Sequence, residues 1–245
     1  MTSDAVDDSG KLTALLSQAR YILLDFDGPV CKVFAGLPAA SIAADLRDLV
    51  VSRGVDLPAE LHDTGDPLAI LRWAADTDDE LAHLVDKALT DAEVRAVATA
   101  EPTPGAREFL EACQATGRPV AMVSNNSAEA IRAYIDRLGI ARLVIWVEGR
   151  DHERLAEMKP SPHLLHRALV ALHANPSEAI FVGDSVTDIK AGQAAKILTL
   201  GYANKPDKIA TLGHAGSAAL TESIGYLGQA LWPPKQGESL LDRNP

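Results

Sequence analysis

The chain has 245 residues, 47% of them hydrophobic, enough to bury a substantial core as one large domain or a domain with a smaller insertion, which argues against intrinsic disorder. Its 34 acidic side chains against 23 basic ones give a formal charge of -11 with no Lys/Arg cluster, which argues against binding nucleic acid or an anionic membrane. Cys31 and Cys113 stand far apart outside any CxxC pattern, so neither a disulfide framework nor a zinc site is indicated, and no apolar run approaches the ~20 residues of a membrane span.

Residues 1–10 are acidic and polar, without the basic start and apolar stretch of a secretory leader, so a flexible terminus and a cytoplasmic location are expected. The apolar run Tyr21-Ile22-Leu23-Leu24 predicts a buried strand, and Asp25-Phe26-Asp27-Gly28 follows it directly. Residues two apart leave a strand on the same side, so Asp25 and Asp27 face one place. A turn would also use Asp-Gly, but a buried carboxylate pair needs a compensating positive charge, and a divalent cation meets that need. Gly28 and Pro29 then break the strand.

Residues 31–100 contain no convincing strand and exceed what a crossover helix requires. Ile42, Leu46, Leu49 and Val50 recur at helical spacing before Gly54, and Leu81, Leu84, Val85 and Leu89 repeat the pattern after Asp78-Asp79-Glu80. An inserted helical unit is expected, placed as a lid over the carboxylate pair. Arg47, Arg53, Arg72 and Trp73 within it read as ordinary helix-surface or anchoring residues.

After Pro102, Pro104 and Gly105 a βαβ rhythm takes over: helix over 106–116, strand over 120–123, helix over 128–138, strand over 143–147, helix over 163–173, and strands over 179–182 and 197–200. The rhythm predicts an α/β doubly wound parallel sheet, whose ligands gather at the carboxyl ends of the strands. Three further motifs fall at such ends. Ser124-Asn125-Asn126-Ser127 joins a strand to a helix start and suits an anion, or simply caps the helix. Lys159-Pro160-Ser161-Pro162 holds an ammonium just before a helix. Gly183-Asp184-Ser185-Val186-Thr187-Asp188 opens a helix with two acids four apart, Asp184 suited to a metal and Asp188 to a supporting contact with Lys159 or to the helix dipole. His163 and His166 read as helix-surface residues, Arg150 and His152 as loop residues, and the tail from Trp232 is expected to fray.

The four motifs, in this order, resemble the haloacid dehalogenase-like hydrolase superfamily over residues 20–202. The resemblance implies a Rossmann-like core (11–30 and 101–231) with an inserted α-helical cap (31–100), and Mg2+-dependent hydrolysis of a small phosphomonoester through an aspartyl-phosphate. It implies that Asp25 is the nucleophile and a metal ligand. Asp27 is the implied acid/base, contacting the metal through its main-chain carbonyl. Ser124 and Asn125 would bind the phosphoryl group, Lys159 would offset its charge, Asp184 would hold the metal and Asp188 would support the site. An acid at position 27 matches the phosphatase branch. The insertion resembles that of phosphoglycolate phosphatases and sugar-phosphate mutases, although Pro29 and Lys32 depart from the residues usual there. The implied partner is a small phosphorylated metabolite, with no nucleic acid, membrane or protein partner. A phosphomutase and a non-catalytic metabolite-binding regulator fit the same motif set.

Overall fold

Six short parallel strands carry the molecule: β1 (Tyr21–Leu24), β2 (Val120–Ser127), β3 (Trp146–Arg150), β4 (Ala179–Gly183), β5 (Leu198–Tyr202) and β6 (Ala219–Thr221). The structure, a computed structural model, describes residues 6–231, so the tail from Trp232 and residues 1–5 lie outside it. The strand order is β3-β2-β1-β4-β5-β6. The chain therefore winds outward from β1 through β2 and β3, then crosses to the other side of β1 and continues through β4. That reversal opens a crevice at the carboxyl ends of β1, β2 and β4.

Ten helices are described: α1 (Ser9–Gln18), α2 (Ala39–Ser52), α3 (Pro67–Thr77), α4 (Asp79–Val97), α5 (Ala106–Ala115), α6 (Ala128–Leu138), α7 (His163–Leu172), α8 (Val186–Ala194), α9 (Pro206–His214) and α10 (Ile224–Leu231). The central strands β1, β2 and β4 are buried on both faces, and alternation assigns each side chain to a layer. Ile22, Leu24, Met122 and Val182 pack with Leu12 and Leu16 of α1, Phe109 of α5, Tyr134 of α6 and Leu227 of α10. Leu23, Ala121, Val123 and Phe181 pack on the opposite side with Leu164, Leu165 and Leu169 of α7. The α/β doubly wound parallel sheet expected from the sequence is the observed architecture.

Several elements differ from expectation. The strand expected over 143–147 runs instead over Trp146–Arg150. Ile145 and Trp146, which read as a buried run, are 63% and 42% exposed, while Glu148 and Arg150 are buried. Helix α1 is capped by Asp8, whose side chain accepts from the Lys11 amide, and the backbone amide of Asp7 donates to the Leu220 carbonyl at 3.1 Å. The described part of the terminus expected to be flexible is thus held against β6. Helix α3 starts with Asp66 as its cap and Pro67 in its first turn, and buries Ile70, Leu71 and Ala74.

Helices α2, α3 and α4 share a hydrophobic cluster of their own, with Ile42, Leu46 and Val50 packing on Ile70, Leu71, Val85 and Leu89. One buried cation ties this unit to the sheet. Arg150, at the end of β3 and read from sequence as a loop residue, has a fully buried side chain. Its Nε donates to Asp86 at 2.5 Å, Nη1 donates to Glu93 and to the Asn125 carbonyl at 2.8 Å each, and Nη2 donates to Thr90 at 3.1 Å and Glu93 at 3.2 Å. All five N–H donors of the guanidinium have acceptors. Burial works against the charge, but Glu93 and Asp86 outweigh it and hold the guanidinium above its ordinary range. Arg150→Ala leaves two carboxylates buried without their counter-charge, so a loss of about 3–5 kcal/mol is expected in urea unfolding. A loss below about 1 kcal/mol would show that water reaches Asp86 and Glu93 and that the contact is not structural.

Candidate active site

The first acids stand where β1 runs out. The Asp25 amide still donates to the Val182 carbonyl at 2.8 Å, so the sheet geometry carries through to that residue and aims its side chain into the crevice. Asp25 is only 6% exposed. Burial is the main force raising its pKa, neighbouring Asp188 and Asp184 add to it, and Lys159 opposes them. Asp27 accepts from the Val33 amide at 2.9 Å, and burial pushes its carboxyl up to about 6. The turn that follows needs glycine: Gly28 has φ +103°, and a Cβ there would overlap the carboxylate of Asp184. Thr103 pins the turn by donating to the Gly28 carbonyl at 2.5 Å.

The second element is a bulge. Between Val123 and Ser127, β2 advances four residues while β3 advances only two, from Glu148 to Arg150. The surplus residues leave the ladder, and the Ser124-Asn125-Asn126 segment swings into the crevice. Ser124 donates its hydroxyl to Asn126 Oδ1 at 3.1 Å and accepts from the Asn126 amide at 3.2 Å. Asn126 is oriented in turn by Glu93, which accepts from its Nδ2 at 3.1 Å and from the Ser127 amide at 2.9 Å. Glu93 of α4 therefore links the helical insertion to the hydroxyl at the bulge.

Asn125, expected from the resemblance to help bind the phosphoryl group, lines the crevice, and its side chain faces the backbone of Lys159: Oδ1 accepts from the Lys159 amide at 2.8 Å, and Nδ2 donates to the Lys159 carbonyl at 3.0 Å. A planar amide matches the two backbone groups of one residue, so Asn125 holds Lys159 in place. From that position Lys159, 2% exposed, reaches Asp25 at 2.7 Å and Asp188 at 2.6 Å. Burial disfavours its charge, yet Asp188 and Asp25 hold the ammonium above its ordinary range.

Asp188 is fully buried, and its Oδ2 accepts from the Asp184 amide at 3.1 Å, the Ser185 amide at 3.0 Å and the Ser185 hydroxyl at 2.6 Å. This is the reciprocal cap of α8. Its other oxygen faces Lys159, so both are engaged. Asp184 differs. Burial raises its pKa, while Lys208 at 2.5 Å and Asn204 at 3.0 Å, both on Oδ2, counter that shift.

Asp25, Asp27, Ser124, Asn125, Lys159 and Asp184 all line one cavity of about 360 Å³. Arg47, Arg53, Arg72, Trp73 and His152 do not. Oxygens of Asp25, Asp184 and Asp188 lie within 4.8 Å of one another; with both oxygens of Asp188 engaged, Asp25 and Asp184 are the side chains of this set suited to hold a small divalent cation. Burial first, and then Asp188 and Asp184, raise the carboxyl of Asp25, so a cation beyond the ammoniums of Lys159 and Lys208 would favour its ionised form. Sequence reading missed Glu93, Arg150, Asn204 and Lys208. The acids of α4 lie within a helix already marked by its apolar stripe, and nothing local marks Lys208.

A family model described as haloacid dehalogenase-like hydrolase matches residues 19–196. The chain is 28% identical over 196 residues to a phosphoglycolate phosphatase of Pseudomonas putida, covering 75% of this chain and 70% of that protein. A phosphoglycolate phosphatase of Rhodospirillum rubrum is 32% identical over 130 residues, half of each chain (51% and 50%). Among solved structures, CbbY from Rhodobacter sphaeroides in complex with phosphate shares the fold with a TM-score of 0.60 at 19% identity, covering 86% of this chain and 96% of that one. A protein described as a predicted phosphoglycolate phosphatase from Haemophilus somnus gives 0.61 at 19% identity, covering 85% and 96%.

The clamp on Lys159 has a measurable consequence. Asn125→Ala strips acceptor and donor from two backbone groups of Lys159, with an expected loss of about 1–3 kcal/mol in denaturant unfolding. A crystal structure of that variant should show the ammonium displaced from Asp25, and an unmoved Lys159 would contradict the clamp.

Proposed function

The chain belongs to the haloacid dehalogenase-like hydrolases, and from that premise we propose that it is a Mg2+-dependent phosphatase of small phosphomonoesters, acting through an aspartyl-phosphate. The observation that carries this reading is the convergence of Asp25, Asp27, Ser124, Lys159 and Asp184 on one cavity, from the ends of β1, β2 and β4 and from the segment before α7. The names of the relatives, phosphoglycolate phosphatases, favour the same reaction class.

Asp25, Asp184 and the main-chain carbonyl of Asp27 would hold the cation, since both oxygens of Asp188 are engaged elsewhere. When bound, the ion supplies charge neutralisation for the carboxylates and for the phosphoryl oxygens. The remaining roles belong to the chain. Asp25 attacks phosphorus, forming an acyl-phosphate bond as the ester P–O bond breaks. Asp27 protonates the departing oxygen, and its raised pKa of about 6 keeps a proton available near neutrality. Asp27 then takes the proton of the water that attacks the phosphoenzyme, restoring Asp25 and releasing phosphate. Lys159 keeps the nucleophile oriented and offsets incoming charge, and Ser124 turns its hydroxyl from Asn126 to a phosphoryl oxygen. Residues 31–100 act as the cap whose α3 and α4 wall the cavity.

Phosphate release from a panel of phosphomonoesters tests the reading. Asp25→Asn is expected to reduce turnover to background, and Asp27→Asn to lower kcat by about 10²–10⁴-fold. Removing divalent ions with EDTA should abolish activity and Mg2+ should restore it. Full turnover by Asp25→Asn would remove the proposed nucleophile, and full activity in EDTA would remove the metal.

A further inference from the structure

Asp184, on the metal-dependent reading above, is a ligand of the cation, yet one of its oxygens is already held by another positive group. Lys208, in the first turn of α9, places its ammonium 2.5 Å from Asp184 Oδ2, and Asn204 donates to the same oxygen at 3.0 Å. The turn after β1 closes in on that oxygen as well, since a Cβ at Gly28 would stand 2.3 Å from it. A neutral donor, a charged donor and the backbone of the Gly28 turn thus crowd one atom.

The two lysines of the site differ in how firmly they are held. Lys159 lines the cavity, bridges Asp25 and Asp188, has its backbone clamped by Asn125, and leaves only 3% of its side chain exposed. Lys208 stands outside the cavity lining and reaches Asp184 from behind. Its side chain is 25% exposed, and among the described residues Asp184 is the one acid it pairs with. A flexible four-carbon stem with a path to water can release its partner cheaply. Two cations drawn to one carboxylate also repel each other, so a positive charge anchored at Asp184 works against the arrival of a second.

We infer that Lys208 is a built-in rival of the divalent cation: it neutralises Asp184 while the site is metal-free, and its charge holds the affinity for Mg2+ below what the acids alone would give. Lys208 acts through Asp184 and is a positioning residue of the site.

Calorimetric titration of MgCl2 into the full chain, stripped of divalent ions and free of substrate, tests this. Lys208→Met keeps the stem and removes the charge, and is expected to bind Mg2+ about three- to tenfold more tightly than the unaltered protein. Lys208→Arg keeps the charge and is expected to stay within about twofold of the unaltered affinity. Asn204→Ala removes a neutral donor from the same oxygen and is expected to bring no tightening. The rise in Tm on adding MgCl2 should be larger for Lys208→Met than for the unaltered protein, as tighter binding to the folded state requires. Unchanged or weaker binding by Lys208→Met would overturn the inference and leave Lys208 as a group that only orients Asp184. Equal tightening by Lys208→Arg or Asn204→Ala would also overturn it, because the gain would then come from freeing the oxygen and not from removing charge. An unaltered protein that takes up no Mg2+ would overturn the metal reading, and this inference with it.

Discussion

One ammonium between two buried carboxylates organises the site. Lys159 sits within 2.7 Å of Asp25 and 2.6 Å of Asp188, and all three residues are nearly or wholly removed from solvent. Isolated charges at such depth are strongly unfavourable, so each side chain constrains the positions of the others. Asp25 is delivered by β1, Lys159 by the segment before α7, and Asp188 by the first turn of α8. The parallel pairing of β1 with β4, in register from Tyr21 with Ala179 to Leu24 with Val182, brings the first and third of these together. The amide of Asn125 fixes the second. The triad also leaves a net negative charge, which is why the site favours a cation.

A second polar chain runs from the helical insertion to the bulge in β2. Arg150 holds Glu93, Glu93 orients Asn126, and Asn126 receives the hydroxyl hydrogen of Ser124. Every link lies in the interior, where a missing partner is costly, so the insertion cannot shift near Glu93 without disturbing the residues around Ser124. The attachment of the inserted helices and the geometry of the Ser124 segment thus share one set of hydrogen bonds. Helices α2, α3 and α4 hold together through an apolar cluster of their own.

The sheet, most helices and the acids at strand ends were legible because they depend on local pattern: an apolar run, then charge, then a turn. Asp25, Asp27 and Asp184 follow buried strands directly, and the structure places all three on one cavity. Asn125 was not legible in this way. Its neighbours suggest an anion loop, but its side chain is claimed by a backbone 34 residues away. Arg150 ends a strand whose outer half is exposed and whose inner half is charged, the reverse of the usual signal. Helices α1 and α3 were passed over although Asp8 and Asp66 mark their starts and seven of the eleven residues of α3 are apolar.

Arg150 follows Asp86 by 64 residues and Glu93 by 57. During synthesis α4 therefore emerges from the ribosome with two acids on its buried side and no counter-ion yet made. Hydrophobic packing can gather the three inserted helices early, but their attachment must wait until β3 has been translated. The catalytic pocket is assembled later still, because Lys159, Asp184 and Asp188 all follow Arg150 in the chain.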